Sequence, residues 1–331
     1  MNSTRVAALI LPLLCVHNVR AEDSTKLPKL VKTIALSNVE GRIDHMAFDA
    51  RTNRLFVAAL ENNTVEVIDV EKGERIQTIK NLHEPQGLAF IPATNTLVVA
   101  NGGDGSCQFY DAESMKLKSS IDLEDDADNV RYDASSNRLY VGHSKGALAI
   151  LDAKAAQKIG DAKLSAHPEA FEIDTQAKRA YVNVPSATSI EIIDLEKPAV
   201  SAAWKLTDSK SNFPMALDAT NHRLFVGCRS PARLLVFDTE SGKEVAKLEI
   251  AGDPDDVFFD PSRKSIFVTG GSGSIDAFAQ SDADHYSHTG RIPTASGART
   301  SLLAPENAAL YVAVPHRGAQ AAEIRVYSVK Q

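Results

Sequence analysis

The sequence lacks the features of several common protein classes. Its 331 residues include only three cysteines, and none of them lies in a C-x-x-C-H haem motif or in a Cys/His spacing typical of zinc sites. Helical periodicity is weak throughout, and beyond the N-terminus no apolar run is long enough to span a membrane. These absences argue against an α-helical fold, attached haem, a zinc site and a membrane-spanning segment.

Basic residues are also in short supply, with 36 against 43 acidic ones and a formal net charge of −7. Removal of Arg5 and Arg20 with an N-terminal segment would take the charge to −9. A negative surface repels a phosphate backbone, so nucleic acid is not expected as a partner. The composition is otherwise ordinary, with 44% hydrophobic residues, and it predicts a folded core.

The first residues resemble a secretory signal peptide. Arg5 provides a positive charge, residues 6–16 form a short apolar run, and residues 19–21 resemble an A-x-A cleavage site. We therefore expect a signal peptide over residues 1–21, cleavage near Ala21, and a mature protein in the periplasm or outside the cell. Cys15 leaves a lipoprotein signal open, although Leu14 stands where such signals have a small residue.

The rest of the chain, residues 22–331, is organised by a strand pair at residues 54–70 that recurs six more times. The first strand of each copy is anchored by Leu55, Leu97, Leu139, Ala180, Leu224, Ile266 and Leu310. These anchors are separated by 42, 42, 41, 44, 42 and 44 residues. A period of about 40–45 residues with several short strands is typical of propeller blades. The sequence therefore predicts a single all-β domain, a seven-bladed β-propeller with four-stranded antiparallel blades.

The seventh unit ends before its fourth strand, and residues 30–35 form a lone strand that can complete it. This closure would remove an open sheet edge. The segments RLYVG at 138–142 and RLFVG at 223–227 resemble the motif of the YVTN-repeat, YncE-like seven-bladed β-propellers, whose repeats are WD40-like. The resemblance extends from about residue 30 to residue 329 and implies the fold. It implies no particular activity, because the family has no single one.

Cys107 and Cys228 remain after signal-peptide cleavage. They fall in the second and fifth units, which are not neighbours in a ring of seven. A disulfide needs Cα atoms within about 7 Å. Both are therefore expected as free thiols.

The loops that lead into the innermost strand of each blade meet at one mouth of the central channel. Their equivalent positions are Asp44, Gln86, Asp128, Glu169, Phe213, Asp255 and Arg299. A turn needs Gly, Ser, Asn or Pro, but it does not need carboxylates. Four carboxylates among seven copies therefore indicate a specialised mouth. In contrast, Asp49, Asp69 and their equivalents at strand ends are assigned to turns.

The predicted ligand-binding residues lie in these loops or beside them. They are Asp44, His45, Glu84, Gln86, Asp128, Asn129, His167, Glu169, Asn212, Arg229, Asp255, Asp256 and Arg299. The favoured hypothesis is that a monomeric propeller uses this acidic mouth to bind a small polar molecule or a loop of a partner protein. Solvated charges without a function are the plainer interpretation of the same pattern.

The alternative is a metal-dependent, lactonase-like hydrolase that uses the same residues. Its metal candidates are Asp44, Asp128, Glu169 and Asp255, and its catalytic candidates are Asp128, Glu169, His167 and Asp255. Oxygen ligands favour Ca²⁺, Mg²⁺ or Mn²⁺, and such an ion would activate a water molecule. Because binding and hydrolysis would use the same side chains, the sequence leaves open whether the chain is an enzyme and whether it holds a cofactor.

Other propeller enzymes fit less well. Quinoprotein propellers carry recurring tryptophan motifs, whereas this chain has one tryptophan, Trp204. The glycine-rich residues 270–274 do not match the G-x-S-x-G nucleophile motif, and they precede no helix or G-K-[ST] that would hold a phosphate.

Overall fold

A computed structural model describes residues 27–330, which form seven four-stranded antiparallel sheets. The strands of the first four blades, after β1 (Lys29–Ala35), are β2 (Met46–Asp49), β3 (Arg54–Ala59), β4 (Thr64–Asp69) and β5 (Glu74–Ile79); β6 (Pro85–Ile91), β7 (Thr96–Asn101), β8 (Ser106–Asp111) and β9 (Leu117–Asp122); β10 (Val130–Asp133), β11 (Arg138–His143), β12 (Ala147–Asp152) and β13 (Gln157–Lys163); and β14 (Phe171–Asp174), β15 (Arg179–Val184), β16 (Ser189–Asp194) and β17 (Ala199–Lys205).

The last three blades follow the same order from the channel outward. Their strands are β18 (Lys210–Asp218), β19 (Arg223–Ser230), β20 (Ala232–Asp238) and β21 (Glu244–Glu249); β22 (Pro254–Asp260), β23 (Ser265–Gly270), β24 (Ser274–Asp282) and β25 (His285–Pro293); and β26 (Ser301–Ala304), β27 (Ala309–Val314) and β28 (Glu323–Ser328). Short 3-10 helices occupy Pro92–Thr94, Pro185–Ala187 and Pro305–Asn307. Each innermost strand contacts that of the next blade, and β26 contacts β2, so the blades close a ring. The prediction of a seven-bladed β-propeller is confirmed.

The second strand of each blade is buried on both faces, which explains the continuous apolar repeats in the sequence. Side chains alternate across a strand. In β3, Leu55 packs toward the seventh blade with Tyr311, whereas Phe56 packs toward the second blade with Leu97. Burying each such side chain contributes about 1.5–3 kcal/mol, so the core is a series of layers between neighbouring blades.

The N-terminal strand completes the last blade, as predicted. β1 pairs antiparallel with β28 from Lys29 opposite Ser328 to Ala35 opposite Glu323. The Leu36 N–H continues the ladder by donating to the Ala322 carbonyl at 2.9 Å. The closure therefore joins both ends of the described chain in one sheet.

The repeated aspartates at strand ends accept hydrogen bonds within turns, which confirms their predicted role. Asp49 accepts the Arg51 N–H at 3.1 Å, and Asp69 accepts the Lys72 N–H at 2.9 Å. Asp152 accepts two turn N–H groups in the same way. These hydrogen bonds stabilise the turns, so the aspartates have a structural role.

Both cysteines of residues 27–330 are buried and free, as expected. Cys107 lies in β8 and Cys228 in β19, and burial raises the pKa of each thiol to about 12. Within the described range, no helix combines the length and apolarity that crossing a membrane requires. The predicted signal peptide at residues 1–21 lies outside the described residues.

Candidate functional site

A β-bulge precedes or opens the innermost strand of the blades and determines which side chains face the channel mouth. Two residues lie opposite one residue of the neighbouring strand. Gly142, for example, accepts from the Asp128 N–H at 2.9 Å and donates to the Asn129 carbonyl at 3.0 Å. Asn183 bonds in the same way to Glu169 and Ala170. Bulges re-aim side chains at strand ends, so each blade presents its own residue at one shared geometry.

The bulge positions surround a cavity of 330 Å³, which we call the channel mouth. Its wall comprises Arg42, Asp44, His45, Gln86, Asp126, Asp128, Asn129, His167, Glu169, Ala170, Phe213, Arg229, Asp255 and Arg299. All seven blades contribute at least one residue. Gly87 makes this convergence sterically possible, because a Cβ at that position would collide with the carbonyl oxygen of Asp128.

The channel mouth brings together ten of the thirteen residues predicted from the loops. They are Asp44, His45, Gln86, Asp128, Asn129, His167, Glu169, Arg229, Asp255 and Arg299. The catalytic candidates Asp128, Glu169, His167 and Asp255 are all among them. Their participation in binding or catalysis remains a prediction.

Three predicted residues lie elsewhere. Glu84 is exposed outside the cavity wall, in a left-handed backbone conformation with φ of 50°. Asn212 is fully buried, and its amide donates to Asn183 Oδ1 at 2.8 Å. Asp256 lies deeper, where it accepts the Ser301 N–H at 2.7 Å and lines the channel below the mouth. All three residues therefore lie outside the wall of the channel mouth.

Arg42, Asp126 and Phe213 are wall residues that are not among the predicted ligand-binding residues. Arg42 Nη2 donates to Asp44 Oδ2 at 2.6 Å. The sequence feature that could have identified Arg42 is its i, i+2 spacing from Asp44, because residues two apart in an extended segment have side chains on the same side. Phe213 occupies one of the seven equivalent loop positions and contributes an aromatic ring to the wall.

One side of the mouth, which we call the arginine side, is a network of two arginines and two aspartates. Arg229 contacts Asp253 at 3.1 Å and is also bonded to Asp255. Arg299 contacts Asp253 at 3.2 Å and Asp255 at 3.1 Å. The Arg229 guanidinium also lies 3.6 Å from the ring centroid of Phe213. Burial raises the pKa of Asp255, and the two arginines oppose that rise.

The opposite side, which we call the acid side, is formed by Asp128, Asn129 and Glu169. Within residues 27–330, neither Asp128 nor Glu169 forms an ion pair. Asp128 is 7% exposed and Asn129 is 2% exposed, and the Oδ1 atom of each lacks a hydrogen-bond partner in the described structure. These oxygens are therefore buried acceptors that the protein leaves unsatisfied.

The acid side favours protonated carboxyl groups. Burial raises the pKa of Asp128 well above its usual value, and the nearby charges of Glu169, Asp44 and Asp126 raise it further. Burial, together with the charges of Asp255 and Asp44, raises the pKa of Glu169 to about 8. At neutral pH Glu169 is therefore mainly neutral and can donate as well as accept a hydrogen bond, and the pKa of Asp128 is shifted in the same direction.

Two histidines border the mouth. His45 Nε2 lies 3.7 Å from Asp44 Oδ1, and Nδ1 lies 3.9 Å from Asp256 Oδ1. Burial lowers the pKa of His45, which favours the neutral imidazole. His167 Nδ1 donates to the Ser144 carbonyl at 2.6 Å and lies 3.5 Å from Asp126 Oδ2. His167 is thus held by a hydrogen bond, whereas His45 lies near two carboxylates beyond hydrogen-bond distance.

Below the mouth the channel widens to a cavity of 460 Å³ with mostly apolar walls, including Met46, Phe90 and Val257. Arg131 and Glu172 form an ion pair there at 3.8 Å. His45 and Ala170 border both cavities, so they mark the neck between them.

The four metal candidates share the channel mouth but do not form a metal-ligand cluster. Among residues 27–330, no group of three His, Cys, Asp or Glu side chains is arranged to hold a metal ion. Two of the four carboxylates are engaged instead, Asp44 by Arg42 and Asp255 by Arg229 and Arg299. The role of these four residues as metal ligands remains a prediction of the alternative hypothesis.

Comparison with curated proteins finds relatives over most of the chain. The chain is 23% identical over 300 residues to a YncE protein of Salmonella typhimurium, covering 84% of each. It is 24% identical over 229 residues to YncE of Escherichia coli K12, covering 61% of this chain and 64% of that one. The chain is YncE-like. Both relatives are named as uncharacterized proteins, so they bring no activity to this YncE-like chain, and no protein-family model matches it.

Solved structures share the fold. A chain of Kuenenia stuttgartiensis hydrazine synthase superposes with a TM-score of 0.73 at 17% identity, covering 84% of this chain and 95% of that one. A chain of a mitotic checkpoint complex superposes with a TM-score of 0.79 at 14% identity, covering 99% of both. Identities this low establish the propeller fold alone.

Proposed function

We propose that this YncE-like chain is a ligand-binding β-propeller whose channel mouth binds a small polar molecule. A concave site of 330 Å³ is at the small end of the usual range for ligand pockets, about 300–1,000 Å³. Its wall is mainly polar and is built from loops that differ in every blade. A rigid frame with individual loops is a common arrangement for binding sites.

The observation that carries this proposal is the pair of unsatisfied oxygens on the acid side. A buried acceptor without a partner costs about 1–3 kcal/mol. Asp128 Oδ1 and Asn129 Oδ1 are both of this kind, and both residues line the cavity. Because both atoms are almost completely covered, a ligand that donates hydrogen bonds to them would recover this cost when the two side chains rotate toward the cavity on binding.

The proposal includes export. The N-terminal sequence supports a mature protein that begins near residue 22, in the periplasm or outside the cell. Mass spectrometry of the protein purified from its native host is expected to give a chain cleaved near Ala21. An intact N-terminus, or a lipid on Cys15, would overturn cleavage at Ala21.

The binding proposal is tested by thermal shift with a library of small polar metabolites. We expect at least one compound to raise the melting temperature of the wild type and to have no effect on the double variant Asp128→Asn/Glu169→Gln. The matched control is Glu84→Gln, which changes an acidic residue outside the wall and should respond like the wild type. The proposal fails if no compound acts, or if the double variant responds equally.

A further inference from the structure

The charges of the channel mouth are distributed unevenly. On the arginine side, Arg229 and Arg299 balance Asp253 and Asp255, so this network carries no net charge when all four groups are ionised. The pair formed by Arg42 and Asp44 is likewise balanced. Neither group of residues offers a surplus positive charge for an anionic ligand.

The acid side has a surplus of acceptors. Asp126 accepts from Gln86 Nε2 at 3.2 Å and is also close to His167. Asp128 and Glu169 have no such partners, and Asn129 adds a further unsatisfied oxygen. A ligand that fits this side must therefore supply hydrogen-bond donors, and preferably a positive charge.

We propose that the channel mouth binds an organic cation whose ammonium or guanidinium group donates to Asp128, Asn129 and Glu169. This inference rests on the proposed function and specifies its ligand class. Ammonium and guanidinium groups have several N–H donors and no acceptor, which matches a site made of unsatisfied oxygens. A bare divalent cation fits less well, because among the described residues no group of three His, Cys, Asp or Glu side chains is arranged to hold a metal ion.

Binding of a cation is linked to proton release. The charges of Asp44, Asp126 and Asp255 help to keep the two carboxyl groups of the acid side protonated, whereas Arg42 and Arg229 oppose this. A bound cation stabilises the ionised forms and releases the protons to solvent. Affinity should therefore rise with pH until the free carboxyl groups are ionised, by up to about tenfold per pH unit for each proton released.

The test uses isothermal titration calorimetry with four probes of similar chain length. Putrescine and agmatine are cations, butanediol is neutral, and succinate is an anion. We expect putrescine or agmatine to bind at least about tenfold more tightly than butanediol or succinate. The affinity of the cation that binds should increase between about pH 6 and pH 8. The binding enthalpy measured in buffers with different ionisation enthalpies should give the number of protons released.

The isosteric variants Asp128→Asn and Glu169→Gln should each lower the affinity for the cation by about tenfold or more, whereas Glu84→Gln should leave it unchanged. Glu169→Gln should also reduce the pH dependence, which a merely structural role would not do. Circular dichroism and melting temperature verify that each variant is folded.

The outcomes separate the two proposals. If succinate or butanediol binds better than the cations, and Asp128→Asn abolishes that binding, the site stands and the cation class is overturned. If none of the four probes binds, the cation class is also overturned, and the library screen decides the proposed function independently.

Discussion

The two sides of the channel mouth use the same residue types with opposite results. Asp255 on the arginine side is bonded to two guanidinium groups, whereas Asp128 on the acid side is buried without a partner. The ion pairs of Asp255 connect neighbouring loops. The burial of Asp128 without a partner costs free energy, which a ligand that donates a hydrogen bond can recover. Buried carboxylates in one cavity therefore differ in role according to their partners, which residue type alone does not reveal.

The largest expected effect is on the arginine side. Asp255→Asn removes a carboxylate from two largely buried arginines and should lower the free energy of unfolding by about 2–3 kcal/mol. Urea denaturation measures this loss, with Glu84→Gln as the control. A loss no greater than that of the control would mean that the arginine side is not a stabilising network.

The acid side should instead give a pH-dependent effect. The pKa of Glu169 is raised in the folded state to about 8, so the folded protein binds this proton more tightly than the unfolded chain. Its contribution to stability is present at low pH and is lost as pH rises from about 4.3 toward 8. Glu169→Gln should therefore melt near the wild-type temperature at low pH and above it at alkaline pH. If the difference in melting temperature between Glu169→Gln and the wild type stays the same across this pH range, the raised pKa of Glu169 is contradicted.

Replacement of Asp128 should separate binding from stability. Because the Asp128 side chain forms no ion pair among residues 27–330 and its Oδ1 has no hydrogen-bond partner there, Asp128→Asn should change the free energy of unfolding by less than about 1 kcal/mol. The same change should weaken ligand binding by about tenfold or more, since it alters a side chain that lines the cavity. A variant that unfolds easily would place Asp128 with Asp255 as a structural residue.

Divalent metals should have the smallest effect. Chelation with EDTA, or addition of Ca²⁺, Mg²⁺ or Mn²⁺, should shift the melting temperature by less than about 1 °C, because a ligand that does not bind the native state cannot stabilise it. Elemental analysis provides the matching control. A stoichiometric ion whose removal lowers the melting temperature would favour the metal-dependent hydrolase over the binding propeller.

The sequence was sufficient to predict the frame because the frame is repeated. Residues such as Leu55 and Leu139 occupy equivalent buried positions, so their period gives the blade number directly. The same alignment identified the loop positions that bulges turn toward the channel, including Asp128 and Asp255. A shared backbone geometry made these positions comparable before any contact was known.

The residues that the sequence misplaced depend on local backbone direction, which a repeat does not specify. Glu84 adopts a left-handed conformation in its loop, and Asn212 turns inward to Asn183 beside the bulge in β18. Asp256 follows the bulge in β22 and bonds to the next blade. Arg42 enters the mouth through its partner Asp44. The positions of Asn212 and Asp256 are set by contacts with a neighbouring blade, which the order of residues could not reveal, whereas the spacing of Arg42 and Asp44 is visible in the sequence.

The most direct test of the account is a crystal structure of the protein with putrescine. We expect one ammonium group on the acid side, within about 3 Å of Asp128 and Glu169, with the arginine side unchanged. Putrescine bound elsewhere, or a cavity that contains only water while Asp128 pairs with Arg42, would contradict the account.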